Sequence, residues 1–206
     1  MTSLEQLNEM HLDVLREIGN IGSGNAATAL SQFLGVKVDM TTPTVRLLGI
    51  YDAADALGGL ERATLAMLVR LTGDIDAIMM FIMDEAFISS ILNILLGDGT
   101  LDPMNMSEMQ RSVISEIGNI MIAAYAKSIA EISGLFINIS VPAITYDYIG
   151  SMLSVPAVEM GAASDKILFI EDDYFGETEM ASSANMMLVP SIPSLNKLLE
   201  SLGIEL

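Results

Sequence analysis

Glu17-Ile18-Gly19-Asn20-Ile21 returns unchanged at Glu116-Ile117-Gly118-Asn119-Ile120, 99 residues further along the chain. The surroundings keep the same step. Asp13 stands four residues before the first Glu and Ser112 four before the second, while downstream Gly35 answers Gly134 and Pro43 answers Pro142. The chain therefore carries Asp13-x3-Glu17-x2-Asn20-x22-Pro43 and Ser112-x3-Glu116-x2-Asn119-x22-Pro142, an internal duplication. For 206 residues this predicts one body with a pseudo-twofold axis: a single domain over 1–206 made of two homologous halves, about 1–100 and 107–206.

Outward from the motif, residues 3–34 read as helical, with Leu12, Leu15, Ile18 and Ile21 at three-residue steps along one stripe. Gly22 and Gly24 weaken that helix and predict a kink or a break into two. Val36 to Gly49 alternates around Pro43 and suits an edge strand or a bulge. Asp52 to Leu57 reads as one helical turn. Arg62 to Thr72 and Ile75 to Met83 read as strands joined at Gly73-Asp74, and Asp84-Glu85 opens a helix to Leu96 that Gly97 ends.

Leu101 to Met106 is the seam between the halves. Ser107 with Gln110 forms a capping-box signature for a second long helix, which runs to Ile132 and stops at Gly134. Leu135 to Asp147 repeats the strand around a proline, Lys166 to Tyr174 and Glu179 to Val189 repeat the hairpin, and Ser194 to Leu202 repeats the closing helix. Residues 150–163 give no clear reading.

Composition excludes several classes of function. Nine Lys+Arg against 27 Asp+Glu leave a formal charge of -18, which repels phosphate backbones and anionic membranes, so no nucleic-acid partner is expected. Zero Cys and a single His, His11, remove thiol catalysis, disulfides and most zinc or haem ligand sets. The chain is 51% hydrophobic, but its best candidate membrane span, Ile75 to Leu96, carries Asp76, Asp84 and Glu85 and is rejected. Thr2 to Glu17 lacks the pattern of a signal peptide, and a cytoplasmic location is expected. The 16 Met residues read as adaptable core filling, with a promiscuous binding surface as the lesser alternative.

On an α-helix, positions 13, 17 and 20 fall within about 60° of one another, and Ser112, Glu116 and Asn119 do the same. The intervening Ile residues point toward the core. Gly19 and Gly118 each cost about 1 kcal/mol relative to Ala inside a helix, which suggests a close backbone contact there, between the two long helices as one option. One Glu-x2-Asn pair on a solvated helix is ordinary; the residue types must decide. With no His, Cys or Lys nearby, the pair cannot assemble a nucleophile and base, and the carboxylates make a poor metal cage. A carboxamide bridges well: its NH2 donates to a phosphoryl oxygen while its C=O accepts from a water set for attack. The adjacent Glu then needs a cation, which points to a protein substrate bringing its own Lys and metal.

The doubled Asp/Ser-x3-Glu-x2-Asn-x22-Pro pattern resembles that of the CheC family of chemotaxis phosphatases, and the resemblance covers nearly the whole chain. It implies an α+β fold in which two long antiparallel helices pack on a mostly antiparallel β-sheet. It also implies hydrolysis of the phospho-aspartate on the response regulator CheY. Carried over by position, Asn20 and Asn119 orient the water, Glu17 and Glu116 engage the regulator's active-site Lys, and Asp13 and Ser112 support at most. No cofactor is expected in this chain, and Mg²⁺ is expected on the partner regulator. The receptor deamidase CheD is a further partner of the family. Both motifs are intact and the chain ends at Leu206 without a flagellar-switch module, which favours a phosphatase over a motor component. A non-catalytic adaptor for CheD or CheY, or a flagellar-switch-related protein, is the alternative.

Overall fold

Asn8 fixes the start of the first long helix. Its side chain accepts from the backbone N–H of His11, and its own N–H donates to His11 Nδ1, closing a capping box. The computed structural model describes residues 7–159, 166–176 and 182–204. Helix α1 spans Glu9–Leu34, so the expected start at residue 3 is early by several positions, and residues 3–6 lie outside the described residues. No break occurs at Gly22 or Gly24. The helix continues because Gly22 fits against the ring of Tyr125, and the packing gained there outweighs the weak helix propensity of glycine. Gly35 in the left-handed conformation ends it, its N–H donating to the Ser31 carbonyl.

The rest of the first half is β1 (Val38–Met40), β2 (Thr44–Gly49), α2 (Ile50–Ala56), β3 (Ala63–Gly73), β4 (Ala77–Met83) and α3 (Glu85–Leu96). The second half repeats the series as α4 (Glu108–Ser133), β5 (Ile137–Ile139), β6 (Ala143–Tyr148), α5 (Ile149–Glu159), β7 (Lys166–Gly176), β8 (Ser182–Pro190) and α6 (Ile192–Ser201). Ser107 and Gln110 form the expected capping box on α4, and Asp84 caps α3 through the N–H of Phe87. Helix α5 fills most of the stretch where the residue pattern predicts no clear element, and it is the counterpart of α2. Residues 160–163 lie outside the described residues, as do 179–181 at the expected start of the last strand.

All eight strands join one antiparallel sheet, in the order β1/β2, β7, β8, β4, β3, β5/β6. The two halves interlace: β1 and β2 pair with β7 of the second half, while β5 and β6 pair with β3 of the first. Met80 opposite Met187 marks the pseudo-twofold axis, flanked symmetrically by Ala77 opposite Pro190 and Met83 opposite Ala184. Pro43 and Pro142 fall where each edge strand is interrupted, between β1 and β2 and between β5 and β6. There the missing N–H removes no central ladder bond.

Strand alternation divides the core. Leu65, Met67, Val69 and Leu71 face the layer of α1, α3, α4 and α6, whereas Ala66, Met80, Ile82 and Phe169 face α2 and α5. Met67, Met79, Met80, Met121, Met186 and Met187 are all buried and fill the core, whereas Met10, Met104 and Met109 are exposed. Ile75 to Leu96 is a turn, β4 and α3. Among the described residues the helix long and apolar enough to cross a membrane by length and composition is Glu108–Ser133, and 56% of its most apolar window is buried inside the fold.

Candidate functional site

Each copy of the repeated motif lies in the middle of a long helix, and the same residues point the same way in both. Ile18 and Ile117 are buried, at 3% and 2% exposure, as are Gly19 and Gly118. Opposite them Glu17 and Glu116 are exposed, and Asn20 and Asn119 half-buried. The variable first positions, Asp13 and Ser112, are exposed one turn before each Glu. Ile21 and Ile120 depart from the sequence reading: Ile21 is 37% exposed and Ile120 half-buried, so only the first Ile of each motif is core.

The glycines press the helices onto the sheet. A Cβ on Gly19 would stand 2.7 Å from Val45 Cγ2 of β2, with Ile170 of β7 next to it. A Cβ on Gly118 would run into the thioether of Met67 on β3. The close contact expected at these glycines is therefore between helix and strand, not between the two helices. The helix pair meets one turn later, where Gly22 lies against Tyr125, the Ser23 and Tyr125 hydroxyls hydrogen-bond, and Asn25 Nδ2 donates to Ser128 Oγ at 2.9 Å. These supports, Val45, Met67 and Tyr125, are far from the motif in sequence. Only the repeated Gly hints that something must sit against it.

What remains outside is a rigid helix face carrying an acceptor-only carboxylate and, one turn on, a carboxamide that can donate and accept at once. Among the described residues no hydrogen bond or ion pair engages the side chains of Glu17, Asn20, Glu116 or Asn119. Asp13 differs, being held by Arg16 at 2.6 Å, with Glu9 at 3.7 Å from the same guanidinium. Among the described residues there is no group of three or more His, Asp or Glu placed to hold a metal ion. Such a face cannot transfer a group by itself. It can present a carboxamide and a carboxylate to a partner that supplies the reacting atoms.

The sequence pattern of the CheC-like family matches residues 10–47 and 109–146, one segment in each half, each running from the motif helix into the interrupted edge strand. The family's segment thus matches this chain twice, once in each half. It is 29% identical over 209 residues to the CheY-P phosphatase CheC of Bacillus subtilis, covering 100% of both chains. It is also 30% identical over 142 residues to the flagellar motor switch phosphatase FliY of the same organism, a match that takes in 68% of this chain and 37% of that protein. The fold recurs in Thermotoga maritima FliY, with a TM-score of 0.72 at 24% identity over 96% of this chain and 98% of that one. It recurs again in the FliM middle domain of H. pylori, with a TM-score of 0.68 at 12% identity over 95% and 99%.

Proposed function

We propose that this chain is a phosphatase for the phospho-aspartate of the chemotaxis response regulator CheY. The observation that carries the reading is the doubled face itself: Glu17 with Asn20, and Glu116 with Asn119, outward on helices anchored by Gly19 and Gly118, their side chains free of partners within the described residues. Similarity over the full length to the CheY-P phosphatase CheC of Bacillus subtilis supports it.

In this mechanism the helix face docks over the regulator's phosphorylation site. The Asn20 or Asn119 NH2 donates to a phosphoryl oxygen, and its C=O accepts from a water, holding that water in line with the acyl phosphate bond. The water oxygen bonds to phosphorus as the P–O bond to the aspartate breaks, leaving a free carboxylate and inorganic phosphate; the proton lost by the water goes to solvent or phosphate. Glu17 or Glu116 pairs with the regulator's active-site Lys and sets the angle of approach. Mg²⁺ belongs to the regulator's site. Positioning and charge stabilisation, rather than a covalent enzyme intermediate, carry the rate, as suits a loose phosphoryl transition state.

The test is phosphate release from phosphorylated CheY. Asn20→Ala combined with Asn119→Ala should abolish the stimulation, since one positioned amide in such a site contributes about 3 kcal/mol, on the order of 10²-fold in rate. Binding of the regulator should be largely kept. A double variant that still works at the parental rate would falsify the assignment.

A further inference from the structure

Among the described residues the two motif faces do not have the same neighbours. Beside the second lies an open groove of about 420 Å³, lined by Met106, Arg111, Ser112, Ile114, Ser115 and Ile144, with Glu108, the counterpart of Glu9, on its wall as well. At the matching positions of the first half stand Leu7, Leu12, Asp13, Leu15, Arg16 and Val45. The decisive exchange is Arg16 for Ser115. Arg16 lies along α1 toward Asp13 and Glu9, whereas the small Ser115 leaves the side of α4 open down to buried Ile114. On the facing edge strand Ile144 is 37% exposed, and Arg111 hangs over the groove with its Nε donating to the Met106 carbonyl at 3.4 Å.

We propose that this groove makes the two sites unequal: it docks the surface of the phosphorylated regulator that flanks the phospho-aspartate, with Ile144, Met106 and Arg111 determining specificity at the Glu116–Asn119 site. The inference rests on the reading given under Proposed function. Two observations select the occupant. Ser112 belongs to the groove and lies one turn before Glu116 on the same helix face, so a body seated over Glu116 and Asn119 covers the groove as well. Arg111 is one of only nine basic residues against 27 acidic ones, and although Glu108 shares the groove with it, it supplies the cation on the side of Ser112 and Glu116, toward the phosphoryl group of a partner seated over the motif. A second copy of this chain, with a formal charge of -18, is repelled. The apolar wall formed by Ile144, Met106 and Ile114 takes an apolar side chain of the regulator, and Arg111 at the rim steers its acidic surface.

The experiment measures hydrolysis of phosphorylated CheY in two backgrounds, Asn20→Ala, which leaves the second site, and Asn119→Ala, which leaves the first. In the Asn20→Ala background Ile144→Ser should raise KM roughly tenfold at nearly constant kcat, as expected when the apolar wall of a pocket is cut back. Arg111→Gln, an exposed change that leaves folding alone, should raise KM and flatten its dependence on salt. In the Asn119→Ala background neither change should move KM, which also shows that the variants are folded; an Asn119→Ala chain with no turnover left agrees equally with unequal sites. KM and salt dependence unmoved in the Asn20→Ala background, or moved alike in both, overturn the inference while leaving the phosphatase reading intact. Full activity in the Asn20→Ala, Asn119→Ala chain removes that reading, and this inference with it.

Discussion

Gly22 of α1 lies so close to Tyr125 of α4 that a Cβ there would stand 2.5 Å from Cδ1 of the ring. The ring cannot swing aside cheaply, because it is buried at 1% exposure and its hydroxyl is bonded to Ser23. Gly24, two residues on and so nearly on the opposite side of the helix, meets the opposite circumstance, for a Cβ there would have nothing within 4 Å.

Gly22→Ala should therefore lower stability by about 1–3 kcal/mol through overpacking, even though Ala is the better helix former. Gly24→Ala should raise it by about 1 kcal/mol from propensity alone. Thermal melts of the two variants should move in opposite directions by a few degrees. A shift of the same sign in both would show that Tyr125 does not set the helix spacing.

That contrast also shows how far the sequence can be read. Local signals are sound: Ser107 with Gln110 caps a helix, Gly73-Asp74 lies at a hairpin, and Pro43 and Pro142 mark interrupted edge strands. Nothing local separates Gly22, which needs a ring far along the chain, from Gly24, which needs nothing, so glycine propensity predicts a break where the helix runs on. The capping partner His11 is hidden because Glu or Gln is the usual third residue of a capping box. The interlacing of edge strands between halves, Val45 opposite Ile170 and Ile144 opposite Met67, is a long-range pairing that no periodicity encodes. Helix α5 contains Gly150 and Pro156, both of which argue against a helix in isolation; its apolar side, with Met152 and Leu153, is buried on the sheet. At the candidate site, the outward Glu and Asn are legible from 3.6-residue geometry, while the strand residues beneath the motif glycines are not.

The Glu residues should act on binding where the Asn residues act on turnover. An interfacial carboxylate facing the regulator's Lys loses about 2–5 kcal/mol when truncated, much of it the cost of leaving that Lys unpaired. Glu17→Ala with Glu116→Ala should weaken the complex with a phosphoryl-mimic form of CheY in a titration. Unchanged affinity would remove the Lys contact from the mechanism.

Stability should fall in acid partly through one turn residue. Asp74 accepts from the Lys197 ammonium at 2.6 Å and from the Phe136 backbone N–H at 2.8 Å. The Lys197 bond first, then the Phe136 bond, holds its carboxyl below the ordinary aspartate range. A carboxyl depressed in the folded state stabilises the fold above its unfolded value of about 3.9, and that contribution disappears as pH falls through the lower folded value. Asp74→Asn should therefore flatten the stability curve below about pH 4 and leave its shape near neutrality unchanged. A variant whose acid limb matches the parent's would assign that limb to other carboxylates.

The last prediction concerns metal. Among the described residues Asn20 and Asn119 have no cluster of carboxylate or imidazole groups around them, and no set of three such ligands occurs elsewhere among those residues. A catalytic ion coordinated by this chain would have to rest on Glu17 or Glu116 nearly alone, too few hard oxygen ligands for Mg²⁺ or Ca²⁺. Hydrolysis of phosphorylated CheY should then stop with a chelator, because the ion lost is the regulator's. The purified chain should contain no stoichiometric metal by elemental analysis and should keep its melting temperature in the chelator. An ion bound to Glu17 or Glu116 would instead stabilise the folded state by mass action, so its removal would lower that temperature. Recovery of one or two ions per chain together with such a drop would recast the Glu residues as ligands and replace the mechanism in which they meet a lysine.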